Sequence, residues 1–439
     1  IVSRTPYNKD GEADGWPSWF ALRGYAAVVQ DVRGRYRSQG RWRPIRDDGP
    51  DGADLAAWIG RQPWASGRIG TVGTSYAGAT QLAMAIANAP GLAAMVPVDA
   101  MSNPGRYGIR HNGAFELRWF NWVFTLGNAT GLSARAAGVA AAPGSNAGPA
   151  SRRAASAPEA APALEDLGMR VREYVRALPL RPGTTPLALA PDYEAWLVEA
   201  MSHGENDAFW KDMGSSVVDH VAAFADVPVY HVTGWYDSWG TQVANLNYVE
   251  LARAKKSAQR LIVGPWTHGG QGLSYSGIAE FGSPAAIDMN AFRLRWFDRW
   301  LKGVDNGVER EAPVRLFVMG GGDARKTPEG RVFVGGAWRD EQEWPLARTV
   351  PTAYYVHGDG SLAPRPPAAS GGSTTFTFDP RRPVPTIGGN VSSEGSLMLR
   401  GAQDQRCRPD LWLCDDALPL SARNDVLVFQ TPPLEQALE

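Results

Sequence analysis

Ser75 stands two places after Gly73 and two before Ala77, with Gly78 one place further on. Small residues on both sides let the backbone turn sharply from a strand into a helix. Such a turn lifts the serine hydroxyl above a sheet edge and aims the first helical N–H groups at the same point. Glycine-rich turns that hold a serine are common, so the setting decides: residues 68–72 read as a short apolar strand, and an alanine-rich helix follows over 79–89. A serine hydroxyl is a poor nucleophile until an imidazole takes its proton, and that imidazole needs a carboxylate to hold its tautomer. Six histidines are available. His268 follows the strand-type run 259–263 in the loop Gly264, Pro265, Trp266, Thr267, and so stands at the C-terminal end of a sheet strand, where such sites gather. His231 lies inside a strand pattern, His111, His203 and His220 in or beside an insertion, and His357 in a β-rich region. For the acid, the run 227–232 leads into Asp237, again after a strand. The bland alternatives are a helix-capping role for Asp237 and a plain surface loop for His268.

The elements that must position these groups follow in order. Residues 25–31 form a buried-type strand, and 51–62 carry apolar residues at helical spacing with Asp51 placed to cap them. The Ser75 strand and helix come next, then a strand over 92–98. Strand, helix, strand, helix, strand predicts a parallel sheet covered by helices. The chain order Ser75, Asp237, His268 is that of α/β-hydrolases. The rhythm breaks after Asp99. Residues 101–128 are aromatic, 134–163 are a low-complexity Ala/Gly/Pro/Ser stretch, and helical patterns resume over 164–177 and 192–203. An amphipathic helix over 289–302 places Phe292, Leu294, Trp296, Phe297 and Trp300 on one side. Beyond Pro313, short β-type runs at 314–319, 331–334, 352–356, 374–378 and 425–430 alternate with Gly, Pro and Asp clusters. The expectation is an α/β-hydrolase body from 1–100 and 225–311, a helical cap from 101–224, and a partial β-sandwich of jelly-roll style from 312–439.

Composition excludes several classes. A net charge of −1 supplies no field to recruit nucleic acid or an anionic membrane, and no run is long enough to span a bilayer. Triad chemistry needs no cofactor or metal, and no His/Cys/Asp cluster shows ligand spacing. Cys407 and Cys414 close a small loop or stay as free thiols; spacing leaves both open. The compartment is undetermined, with the cytoplasm favoured and a removed leader left open, and a homo-oligomer is neither required nor excluded.

Taken together, these segments resemble the cocaine esterase, X-prolyl dipeptidyl-peptidase and α-amino-acid ester hydrolase group of serine hydrolases. The similarity runs through residues 4–9, Gln30-Asp31-Val32-Arg33-Gly34, the Ser75 turn, Gly234-Trp235-Tyr236-Asp237, 264–268 and 293–301. The resemblance implies Ser75 as nucleophile, His268 as general base and Asp237 as its orienter. It also implies an oxyanion hole made by the backbone N–H of Tyr76 and the phenol of Tyr7, two donors aimed at developing charge. It implies further strands before Ile1 and a longer jelly roll after Glu439, so that the chain reads as a fragment short at both ends. Acyl preference then falls to Trp119, Trp122, Trp235 and Trp239, four tryptophans near the site segments. Glu116 is a candidate to grip a substrate amino group, although its setting favours a solvated or salt-bridged glutamate.

The functional expectation is a hydrolase of carboxylic esters or acyl amides working through an acyl-enzyme on a small ester, amide or short peptide. The alternative is an X-Pro dipeptidyl-peptidase of the same family. More remote is a non-catalytic binding or scaffold protein on the same fold.

Overall fold

Eight strands in the order β8-β7-β6-β5-β4-β3-β1-β2 form the central sheet: β1 Val2–Thr5, β2 Val28–Asp31, β3 Ile69–Thr74, β4 Leu92–Val98, β5 Val229–Tyr236, β6 Gln259–Thr267, β7 Val314–Met319 and β8 Gly336–Glu341. This computed structural model describes residues 1–11, 15–125, 173–238, 243–368, 373–390 and 399–436. Neighbours are parallel except for the β7–β8 pair at one edge. Strands β3 to β6 are nearly continuous apolar runs because helices cover both faces. One face packs on α2 (Asp48–Gly60) and α3 (Tyr76–Ile86). The other packs on the amphipathic helix Met289–Lys302, whose Trp296 and Phe297 are fully buried beneath β3 and β4. Asp288 caps that helix and Gly303 ends it in the left-handed conformation.

Three local expectations change. The second helix begins at Asp48, a turn before Asp51, because a proline in the first turn gives up no helical hydrogen bond. Asp51 does not cap it; its carboxylate pairs with Arg33. The run 314–319, read as the start of the β domain, is instead β7 of the main sheet, where Val314, Arg315 and Leu316 pair with Leu261, Ile262 and Val263. Runs 374–378 and 425–430 form no strand; Phe376, Phe378 and Val428 lie exposed with no ladder to join, beyond one bridge from Gln430 to Ser361. The C-terminal β region consists of short pairings such as Tyr355–Val356 with Leu362–Ala363, and Cys407 and Cys414 are joined in a disulfide. The low-complexity stretch 134–163 and most of the helical pattern over 164–177 fall outside the described residues. Among the described residues, no helix is long and apolar enough to cross a membrane.

His231 lies inside β5, fully buried, and burial pushes its imidazole down from 6.5 to about 4. Between those values the unfolded chain takes up a proton that the folded chain refuses, so stability falls as pH falls through this window. We expect about 2 kcal/mol of stability to be lost between pH 7 and pH 5 through this one side chain. Urea unfolding of the parent and of His231→Phe at both pH values checks this: the variant should show a flatter dependence, and parallel curves would refute the assignment.

Candidate active site

The first half of the site is the turn at Ser75. Its backbone is held at φ 65° and ψ −120°, a conformation that non-glycine residues rarely adopt and that surrounding structure must enforce. The enforcing contacts are visible. Ser75 N donates to Val98 O at 2.9 Å, and the turn lies so close to α3 that a Cβ on Gly73 would sit 2.6 Å from the Ala77 side chain. A Cβ on Gly78 would meet Ala100 at 2.7 Å, so both glycines are needed for close packing. Tyr76, at the first position of α3, has one of the first-turn N–H groups that a helix leaves without an internal acceptor. Its phenol accepts from Ile45 N at 2.8 Å and lies near the buried Asp48, which pairs with Arg4 on β1 at 3.2 Å. The start of the helix is therefore pinned to two other elements.

The second half comes from the adjacent strands. Thr74 is in register with Val98, Val98 with Val232, and Tyr236 with Thr267. The residues that follow β3, β4, β5 and β6 are Ser75, Asp99, Asp237 and His268, so all four emerge at the C-terminal edge of neighbouring parallel strands. Nδ1 of His268 lies 2.9 Å from Oδ2 of Asp237. A carboxylate only accepts, so Nδ1 carries the proton and Nε2 is the ring nitrogen with a lone pair able to take one. Asp237 is wholly buried, whereas His268 keeps 17% of its side chain exposed. A carboxylate held dry beneath a partly open imidazole suits a base that must become a cation during turnover.

Asp99 is the residue that sequence reasoning missed. It is fully buried with φ 44°, and its Oδ2 accepts from Gly269 N at 2.8 Å and from Gln271 Nε2 at 2.7 Å. Burial and the neighbouring Asp237 carboxylate push Asp99 well above the ordinary carboxylate range. Donor atoms of Asp99, Asp237 and His268 lie within 4.8 Å of one another. Within this cluster His268 is bonded to Asp237, and Asp99 lies against that pair as a buried neighbour. The one signal in the sequence was an acid ending a wholly apolar strand.

Tyr7 follows β1, the neighbour of β3, on the same sheet edge. Its hydroxyl accepts from Trp122 Nε1 at 3.2 Å, an acceptor role that keeps its own proton for another partner. Lys9 N bonds Asp31 at 2.8 Å and Arg35 Nε bonds Pro6 O at 2.9 Å, so the segment shared by residues 4–9 and 30–35 is one braced loop. Helix α4 (Arg118–Thr125) carries Trp119 and Trp122. The Trp122 ring stacks on Tyr76 at 6.3 Å and lies 5.6 Å from Trp42, which packs on Tyr193 at 4.6 Å. Trp119 is buried behind Trp122 and donates to Gly108 O. Trp235 is not part of this group. Its indole donates to Phe317 O at 2.9 Å and packs on Trp344, because β5 turns that side chain toward α-helix and β7 neighbours on the far flank. Trp239 lies outside the described residues. Glu116 is taken: Arg118 Nε sits 2.6 Å from it and His111 Nε2 3.0 Å.

Residues 1–270 match the family model for X-Pro dipeptidyl-peptidase (S15 family), which is more than half of the chain. The chain belongs to the S15 family. Residues 306–439 match the model for the X-Pro dipeptidyl-peptidase C-terminal non-catalytic domain. The S15 family members similar to it include cocaine esterase of Rhodococcus sp. (strain MB1 Bresler), 28% identical across all of this chain and 70% of that protein. Among solved structures, an aminopeptidase from a Thaumarchaeota archaeon of marine sediment superposes with TM-score 0.57 at 21% identity, over 88% of this chain and 60% of that one. An α-amino acid ester hydrolase does so with TM-score 0.57 at 23% identity, over 88% and 61%. The chain thus spans about three fifths of those two structures, and at such identities they show the fold. It is the fold of S15 serine hydrolases: a large, mainly parallel sheet with helices, and a C-terminal β region.

Proposed function

We propose that this chain hydrolyses carboxylic esters or acyl amides through an acyl-enzyme on Ser75. The observation that carries the reading is the His268–Asp237 bond at 2.9 Å on two strands whose neighbours present the strained Ser75 turn at the same sheet edge. His268 Nε2 takes the Ser75 hydroxyl proton as Oγ attacks the substrate carbonyl, while Asp237 holds the resulting imidazolium. The carbonyl oxygen becomes an oxyanion, received by Tyr76 N–H and the Tyr7 hydroxyl. The imidazolium then protonates the leaving alcohol or amine. Water, deprotonated by the same imidazole, releases the acid and restores Ser75. Residues 1–100 and 225–311 act as the hydrolase body in this reading, 101–224 as the cap, and 312–439 as a β-rich module that shares β7 and β8 with the body. Trp42, Trp122 and the Tyr76 ring form an aromatic wall suited to an apolar acyl group.

The X-Pro dipeptidyl-peptidase reading needs an acid free to hold a peptide N-terminus. Glu116, the candidate for that task, is paired with Arg118 and His111, which favours ester or acyl-amide substrates without a required ammonium group.

A fluorophosphonate probe tests the class. Labelling should map to Ser75, and folded protein that is not labelled there would sink the enzyme reading, leaving a binding protein on a hydrolase fold. Turnover of p-nitrophenyl butyrate should exceed that of a dipeptidyl-proline anilide; the reverse order favours the peptidase. For the oxyanion hole, Tyr7→Phe should lower kcat by about 10²–10³ with little change in KM. A Tyr7→Phe enzyme with parental kcat removes the phenol from the mechanism.

A further inference from the structure

We propose that Asp99 is a positioning residue of the catalytic acid, holding one proton against Asp237 while its other oxygen anchors the segment that follows His268. The inference rests on the triad reading above and extends it by one side chain.

Asp99 and Asp237 are both wholly buried at the ends of adjacent strands, with their carboxyl oxygens within 4.8 Å of each other and of His268. The two Asp99 oxygens have different partners. Oδ2 takes two N–H donors, Gly269 N and Gln271 Nε2. Oδ1 receives no N–H or O–H from any other described residue, and a carboxyl oxygen of Asp99 lies within 4.8 Å of one of Asp237. Two buried carboxylates cannot face each other unprotected, since like charges at this distance repel strongly away from water. One proton between them removes the repulsion and satisfies Oδ1. The proton sits on Asp99, because Asp237 must stay an acceptor for His268 Nδ1.

Other charges nearby agree with a single negative charge. Arg118, buried on α4, interacts with Asp237 but is already matched by Glu116, which His111 also contacts. Among the described residues, Arg400 reaches the loop through its bond to the His268 carbonyl, at 3.1 Å. A second carboxylate would therefore lack a free cation among these groups. In turnover, the Ser75 proton goes to His268 Nε2 and returns to the leaving group, and the Asp99 proton stays where it is. Its work is to hold Asp237 in line and to set the Gly269 backbone and the Gln271 side chain, which fixes the angle of the imidazole.

Asp99→Asn and Asp99→Leu separate this from a charged or passive Asp99. An amide can donate to Asp237 and accept from Gly269 and Gln271, as the protonated acid does. Asp99→Asn should therefore melt cooperatively, keep kcat/KM within about threefold, and leave the acid limb of the pH–kcat/KM profile unmoved. Asp99→Leu should lower kcat by about 100-fold with KM little changed, as expected of a misplaced base. If Asp99 is instead a carboxylate, Asp99→Asn removes a charge beside the base and should move the acid limb down by about one pH unit or more; that shift would overturn the proposal. So would an Asp99→Asn chain that fails to fold or loses activity, or an Asp99→Leu enzyme with parental kcat. Ser75→Ala run alongside isolates failure of the underlying reading, because residual activity there indicts the nucleophile and not Asp99.

Discussion

Ser75→Ala should lower kcat/KM for p-nitrophenyl butyrate by at least about a thousandfold while the protein melts as the parent does. The expected loss is large because the hydroxyl forms the acyl bond; the oxyanion donors and the aromatic wall can still bind substrate but have no covalent step to assist. Stability should hold because Ser75 contributes its backbone to the fold, through Ser75 N to Val98 O and Ser75 O to the N–H groups of Gly78 and Ala79, and alanine keeps all of these. Ser75→Gly sharpens the point. With φ at 65°, glycine relieves strain of about 1 kcal/mol or more, so this variant should be as inactive as Ser75→Ala and more stable than the parent. Activity assays and denaturant melts of the three proteins decide the matter. A folded Ser75→Ala that keeps activity within tenfold of the parent removes Ser75 as the nucleophile.

The largest effect on stability is expected away from the reacting atoms, at Asp48. Its carboxylate pairs with Arg4 at 3.2 Å, where the Arg4 side chain is 1% exposed, and it lies near the Tyr76 phenol. Asp48→Ala leaves a guanidinium buried on β1 with only the more distant Asp51 carboxylate, at 3.9 Å, to balance it. Breaking a buried pair in this way costs about 3 kcal/mol or more, whereas replacing both partners with apolar residues costs far less. Asp51→Ala, at the outer and wetter end of the same network, should cost about 1 kcal/mol or less. In the proposed mechanism Tyr76 N–H receives the oxyanion, so Asp48→Ala should also lower kcat under conditions where the protein is still folded. Urea midpoints for the two variants test the ranking, and an Asp48→Ala protein no weaker than Asp51→Ala refutes it.

These two residues mark how legible the molecule was. Ser75, His268 and Asp237 were readable because each ends a short apolar run at a turn, and their order along the chain matches one known arrangement. Their strands, and the helix Met289–Lys302 that covers one face, follow from hydrophobic periodicity and capping residues. Where the reading failed, periodicity was ambiguous. Val314–Met319 carries a pattern that suits the edge of a parallel sheet as well as a sandwich, and only its pairing with β6 settles which it joins. Trp235 and Trp122 are both tryptophans near site segments, yet β5 turns the first toward Phe317 and Trp344 while α4 lays the second on Tyr76.

By itself, then, the sequence determined a parallel α/β sheet, the turn at Ser75 and the three groups expected to do the chemistry, because these depend on local spacing and on order along the chain. Only the tertiary structure decided that Asp99 lies against Asp237, that Glu116 is occupied by Arg118 and His111, and that Trp42 packs on Tyr193 beside Trp122. The Glu116 contacts are local, but those of Asp99 with Asp237 and of Trp42 with Tyr193 join segments far apart in the chain. Strand order β6-β5-β4-β3 brings Asp99 against Asp237, and no local pattern of residues encodes which distant strand will be the neighbour.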